Sequence, residues 1–103
     1  MQVTHHAKDR IKERCGLPKK AIERNAVHAL QNGVRHEECT GKLKKYVDWV
    51  FLSHQRGANI RLYSNHVYIF TSSEKLITVL PIPHIYKNTI NKIIRNRNEN
   101  ASE

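Results

Sequence analysis

The strongest constraint on this chain is a hairpin signal in its second half. Asn59–Tyr63 and His66–Phe70 alternate apolar and polar side chains on either side of Ser64-Asn65. A two-residue connection of this kind predicts an antiparallel pair in which Tyr63 faces His66 and Arg61 faces Tyr68. The two-residue period then puts Ile60, Leu62, Val67 and Ile69 on one face, the core side. Arg61, Tyr63, His66 and Tyr68 fall on the other. A turn at Thr71–Glu74 leads into Lys75–Leu80, apolar enough for a central strand, and Pro81 and Pro83 stop the sheet.

Helices are expected before and after these strands. Thr4 to Cys15 reads as a leading helix, with Thr4 as N-cap, Gly16 as terminator and a stripe of Val3, Ala7 and Ile11. A second helix runs from Pro18 to about Asn32 and is closed by Gly33, burying Ile22, Ala26, Ala29 and Leu30. Val34–Cys39 is expected as a short strand. Residues 42–54 are expected as a helix, because Leu43, Tyr46, Val47, Val50 and Phe51 match helical spacing, although the Tyr, Val, Trp and Phe content also suits a strand. Ile85, Ile90, Ile93 and Ile94 indicate a C-terminal helix. The expected class is therefore α+β: N-terminal helices on a three- to four-stranded antiparallel sheet, with a C-terminal helix. Residues 1–95 form one domain, and 96–103 read as a polar, disordered tail.

Charge narrows the function. Of 103 residues, 18 are Lys or Arg and nine Asp or Glu, a net charge of +9. The excess is concentrated. Residues 1–20 hold six basic and two acidic side chains, 41–62 hold five against Asp48, and 21–40 are near neutral. Such a distribution points to a polyanionic partner, nucleic acid ahead of an acidic protein. No apolar run is long enough for a membrane span, and the N-terminus reads as having no secretory signal, which implies a cytoplasmic protein. Cys15 and Cys39 then read as reduced thiols. They do not form a zinc set with His36, and no cofactor is implied.

Two groups of side chains carry candidate chemistry. His6, Arg10 and Arg14 recur every four residues and form one column on the leading helix. A histidine there can move a proton, and two guanidinium groups can hold a phosphate. On the hairpin face, Arg61, Tyr63, His66 and Tyr68 combine cations with rings that can stack on unpaired bases. The other reading of that face is an ordinary one, covered by a helix with its tyrosines packed. Lys42, Lys44 and Lys45 ahead of Tyr46 make the densest basic cluster and offer phosphate contacts, and His84 follows the proline break as an exposed polar group. Thr78 points to the core side. His5, His28, His36 and His54 read as surface histidines.

The pattern His6-Ala7-x-x-Arg10-x-x-Glu13-Arg14, a second helix ending in Asn32-Gly33, and Leu76-Ile77-Thr78-Val79 in the closing strand resemble small domains of phages and mobile elements. Those domains are grouped with the barnase–EndoU–colicin–RelE ribonuclease superfamily, and the resemblance covers most of residues 4–83. It implies a RelE-like fold and metal-independent RNA cleavage of toxin type, with RNA ahead of DNA as the partner and an antitoxin as the acidic protein. His6 would be the acid or base, with Arg10 and Arg14 on the phosphate. Arg61 and Tyr68 join that set through the sheet geometry and not through a motif. Residues 42–54 are an addition to the compact two-helix pattern, and the superfamily also contains proteins that bind without cleaving.

Overall fold

A four-stranded antiparallel sheet, ordered β1-β2-β3-β4, organises the chain. The computed structural model describes residues 19–54 and 57–101; the helix expected at 4–15 and Cys15 lie outside them. The strands are β1 (Val34–Arg35), β2 (Asn59–Tyr63), β3 (His66–Phe70) and β4 (Leu76–Pro81). Ser64 and Asn65 take φ of 48° and 67°, the doubly left-handed turn that matches the twist of a hairpin. The register is the expected one, with Tyr63 opposite His66 and Arg61 opposite Tyr68.

The helices are α1 (Lys19–Asn32), α2 (Gly41–Leu52) and α3 (Lys87–Ala101). Val34, Ile60, Leu62, Val67 and Ile69 share a core with Leu43, Val47 and Val50 of α2 and Ile90 of α3. Residues 42–54 were open to a strand reading, and the helix prevails because those valines and Leu43 form one stripe. Thr78 faces the same core and is buried.

The opposite sheet face is covered as well. Ile22, Ala26 and Ala29 of α1 pack on Tyr68, Phe70, Leu76 and Val79. This corrects the expectation of an open basic-aromatic face. Phe70 lies on the same side as Tyr68, and an irregularity in the β3–β4 pairing between Ile69 and Phe70 turns Leu76 to that side too. The face thereby becomes apolar enough to require a helix. The alanines let α1 approach closely.

Two further expectations are revised. The strand expected at Val34–Cys39 stops after Arg35 and becomes a 3₁₀ turn over His36–Glu38. The Glu38 carboxylate accepts from the Arg35 backbone N–H at 3.0 Å, closing a tight turn at the end of β1. The polar segment from Asn96 continues α3 as helix to Ala101, where a disordered tail was expected. Arg97 fastens it, donating through Nε to Glu38 at 2.6 Å, through Nη2 to the same carboxylate, and to the carbonyls of Asn32 and Gly33 at 2.8 and 3.0 Å. Among the described residues, no helix is long and apolar enough to cross a membrane.

Candidate nucleic-acid interface

The short β1 strand creates the candidate site. It pairs with β2 only at Val34–Leu62 and Arg35–Arg61, so Asn59 and Ile60 extend past its end. The turn at His36–Glu38 and the α2 surface flank this edge. Between them is a cleft of about 530 Å³ with Arg35, His36, Glu37, Lys44, Asp48, Asn59 and Arg61 on its walls.

Arg61 and Arg35 face each other directly across neighbouring strands. Like charges in that position are destabilising by roughly 0.2–1 kcal/mol unless an anion intervenes. Arg35 has carboxylates near its Nε, Glu37 at 3.3 Å and Glu38 at 3.4 Å. Arg61 has neutral partners: Nη1 donates to Asn59 Oδ1 and to the Ile60 carbonyl at 3.2 Å. Among the described residues it forms no ion pair, and its Nε is buried without a hydrogen-bond partner. Burial, and after it the charge of Arg35, push its pKa below the ordinary arginine value. Arg61 is thus a partly desolvated cation lacking a matched anion.

The other wall holds a polar chain. His36 Nε2 lies 2.5 Å from Asp48 Oδ1, and Lys44 Nζ lies 3.0 Å from Asp48 Oδ2. The His36 hydrogen bond, followed by that of Lys44, holds the Asp48 carboxyl below its usual pKa. The His36 ring also rests against Phe51, with ring centroids 5.5 Å apart. With Nε2 bound to an ionised carboxylate, the proton of a neutral ring belongs on Nε2, leaving Nδ1 as the basic atom. The cleft can therefore offer an anion-seeking guanidinium, a second arginine, a lysine and an oriented imidazole, with the Glu37 and Asp48 carboxylates engaged beside them.

The sequence-predicted residues separate into groups. Arg61 and Lys44 meet in the cleft. Tyr68 is only 2% exposed beneath α1, which removes it from any surface in contact with substrate. Tyr63 is half-buried, stacked on His28 at 6.2 Å and edge-on to Tyr68 at 6.3 Å. Tyr46 is likewise packed, stacked on Tyr86 at 4.9 Å, and burial raises its hydroxyl pKa. His66, whose Nδ1 lies 2.8 Å from the Ser64 carbonyl, and exposed His84 belong to the hairpin end of the sheet. That end is roughly 13 Å from Asn59 at the strand rise per residue. Lys42 and Lys45 are exposed on α2. His6, Arg10 and Arg14 lie outside the described residues.

Five residues of the cleft had no distinguishing signal: Arg35, His36, Glu37, Asp48 and Asn59. His36 and Asp48 are joined only by the turn after β1, and Arg35 only by strand register. Among the described residues, no group of His, Cys, Asp or Glu is placed to hold a metal ion. Cys39 is a buried free thiol whose pKa rises to about 11, through burial first and then the charges of Glu38 and Asp48. Comparison with known protein families, curated proteins and solved structures finds no match to this chain.

Proposed function

We propose that this protein binds RNA and seats a phosphodiester between Arg61 and Arg35. The carrying observation is the Arg61 guanidinium, which lies directly opposite a second arginine, forms no ion pair among the described residues and has a buried Nε without a partner. Leaving a partly desolvated cation unmatched costs free energy. A phosphate beside the guanidinium offsets that cost through its charge and charge-assisted hydrogen bonding, and it relieves the repulsion between the arginines. The net charge of +9 supplies the long-range attraction. RNA is preferred to DNA on the resemblance of the His6/Arg10/Arg14 pattern and the closing strand to the RelE-like ribonucleases.

The test is fluorescence anisotropy of a labelled single-stranded RNA, titrated with the full chain in EDTA across a salt series. The expected result is binding that weakens steeply with salt, with affinity lost in Arg61→Met. No affinity for RNA at low salt would refute the proposal and favour an acidic protein partner instead.

A second reading, metal-independent endoribonuclease action, is favoured by the His36–Asp48 pair. In that reaction a base takes the ribose 2′-hydroxyl proton and the 2′-oxygen attacks phosphorus. The bond to the 5′-oxygen breaks, and an acid protonates the departing oxygen. His36, oriented by Asp48, suits one of these roles, and His6 is the candidate for the other. Cleavage in EDTA yielding cyclic-phosphate and 5′-hydroxyl ends, and abolished in both His36→Ala and His6→Ala, is the expected result. Intact RNA after binding leaves a non-catalytic RNA-binding protein.

A further inference from the structure

We infer that the outer face of α2 is a stacking platform for an unpaired base, so that the RNA bound by this protein is single-stranded where it crosses that helix. The inference rests on the RNA-binding reading above and identifies the form of nucleic acid.

Trp49 is 63% exposed and Leu52 80% exposed, on a helix whose Leu43, Val47 and Val50 are fully buried. At about 100° per residue, Lys45 lies roughly 40° from Trp49 around the helix and Lys42 roughly 20°. Both lysines are exposed, and neither forms an ion pair among the described residues. The one acid of α2, Asp48, is engaged by His36 and Lys44 on the cleft side. The outer face therefore presents an indole with two unneutralised cations on its N-terminal side, Lys45 about 6 Å along the axis from Trp49 and Lys42 about 10 Å. Lys44 on the cleft wall and Lys45 on the outer face are consecutive, so a strand leaving the cleft meets cations continuously as it rounds the helix.

An indole plane gains free energy by covering the face of a base, and the two lysines can hold phosphates on its N-terminal side. Bases inside a duplex already stack on one another and offer no such face. The charge complementarity selects a polyanion, and the flat ring selects one with exposed bases.

Trp49 is the only tryptophan in the chain, so its emission reports on the platform alone. The full chain is titrated in EDTA with a short oligouridylate, and separately with duplex RNA of equal length. Binding is followed in parallel by the anisotropy of a label on the RNA. The expected result is quenching of Trp49 by the single strand along the same isotherm as the anisotropy. Trp49→Ala should weaken single-strand binding by roughly 5- to 150-fold, the range for loss of one stacked base, with Trp49→Phe largely retained and duplex binding little changed. Because Trp49 is exposed, circular dichroism should show both variants folded. If labelled RNA binds while Trp49 emission and the Trp49→Ala affinity stay unchanged, the platform is refuted and the RNA-binding reading stands. If no RNA binds, both fall. A response to anionic phospholipid vesicles or polyglutamate, but not to the oligouridylate, overturns the inference in favour of a membrane or an acidic protein.

Discussion

Replacing Glu38 with glutamine should loosen the clamp that holds β1, and the size of the effect can be worked from its bonds. Glu38 accepts two hydrogen bonds from Arg97 and two from Arg35, one of them from the Arg35 backbone. The Arg97 side chain is the main cause of a Glu38 pKa held at about 2, against 4.5 for a free carboxyl. That difference corresponds to an upper limit of about 3.4 kcal/mol of native-state preference for the ionised form. The carboxylate is 18% exposed and Arg97 32% exposed. Solvent screening at that rim reduces the expected contribution to about 2 kcal/mol, which lowers Tm by roughly 10 °C in a domain of this size. The folded-state pKa lies below the unfolded one, so this stability is complete above about pH 4.5 and is lost as pH falls towards 2. Thermal melts of wild type and Glu38→Gln by circular dichroism should therefore differ fully at neutral pH and converge near pH 2. Equal Tm values at neutral pH, or a gap that persists unchanged through the acid range, would refute the reasoning. Because the clamp also fixes Arg35, the variant should bind RNA more weakly than wild type at temperatures where both are folded.

Three other outcomes follow from the same structure. Gly33→Ala should destabilise by about 1–3 kcal/mol, as overpacking does, because its Cβ would lie 2.5 Å from the Ala29 carbonyl oxygen and 3.0 Å from the Arg61 Cβ; chemical denaturation checks this. Tyr68→Ala should cost roughly 3–5 kcal/mol of stability, as large-to-small changes of buried aromatics do, and a variant of native stability with selectively lost RNA affinity would contradict the packed position of that ring. Lys44→Ala should reduce the slope of log affinity against log salt by about 0.7, the loss of one single-strand phosphate contact, measured by anisotropy across a salt series.

Much of the framework was legible because its signals are local. The Ser64-Asn65 turn and the alternation around it determine the β2–β3 register, and the valines with Leu43 determine the buried face of α2. The covered state of the second sheet face was harder to see. Considered alone, Arg61, Tyr63, His66 and Tyr68 look like a substrate surface. Phe70 extends that same face and Leu76 is turned onto it by an irregularity that alternation does not reveal. The candidate cleft was least legible. Arg61 and Lys44 stood out as cations, but their proximity depends on β1 ending after two residues. That ending depends in turn on Glu38 capturing the Arg35 backbone. His36 reaches Asp48 across twelve residues with no shared period. Polar composition likewise hid the helix beyond Asn96, since Arg97 is anchored to α1, to β1's flank and to Glu38 by contacts some sixty residues away in sequence.

The most direct measurement of the central claim is the Nε–H resonance of Arg61 in a nitrogen–proton correlation spectrum of the labelled protein, recorded while single-stranded RNA is added in EDTA. In the free protein this group has no hydrogen-bond partner among the described residues. Seating of a phosphate beside the guanidinium changes the field at this buried group and should move its cross-peak, saturating on the same isotherm as RNA binding. A cross-peak that does not move at saturating RNA would contradict the assignment of Arg61 as the phosphate-binding cation.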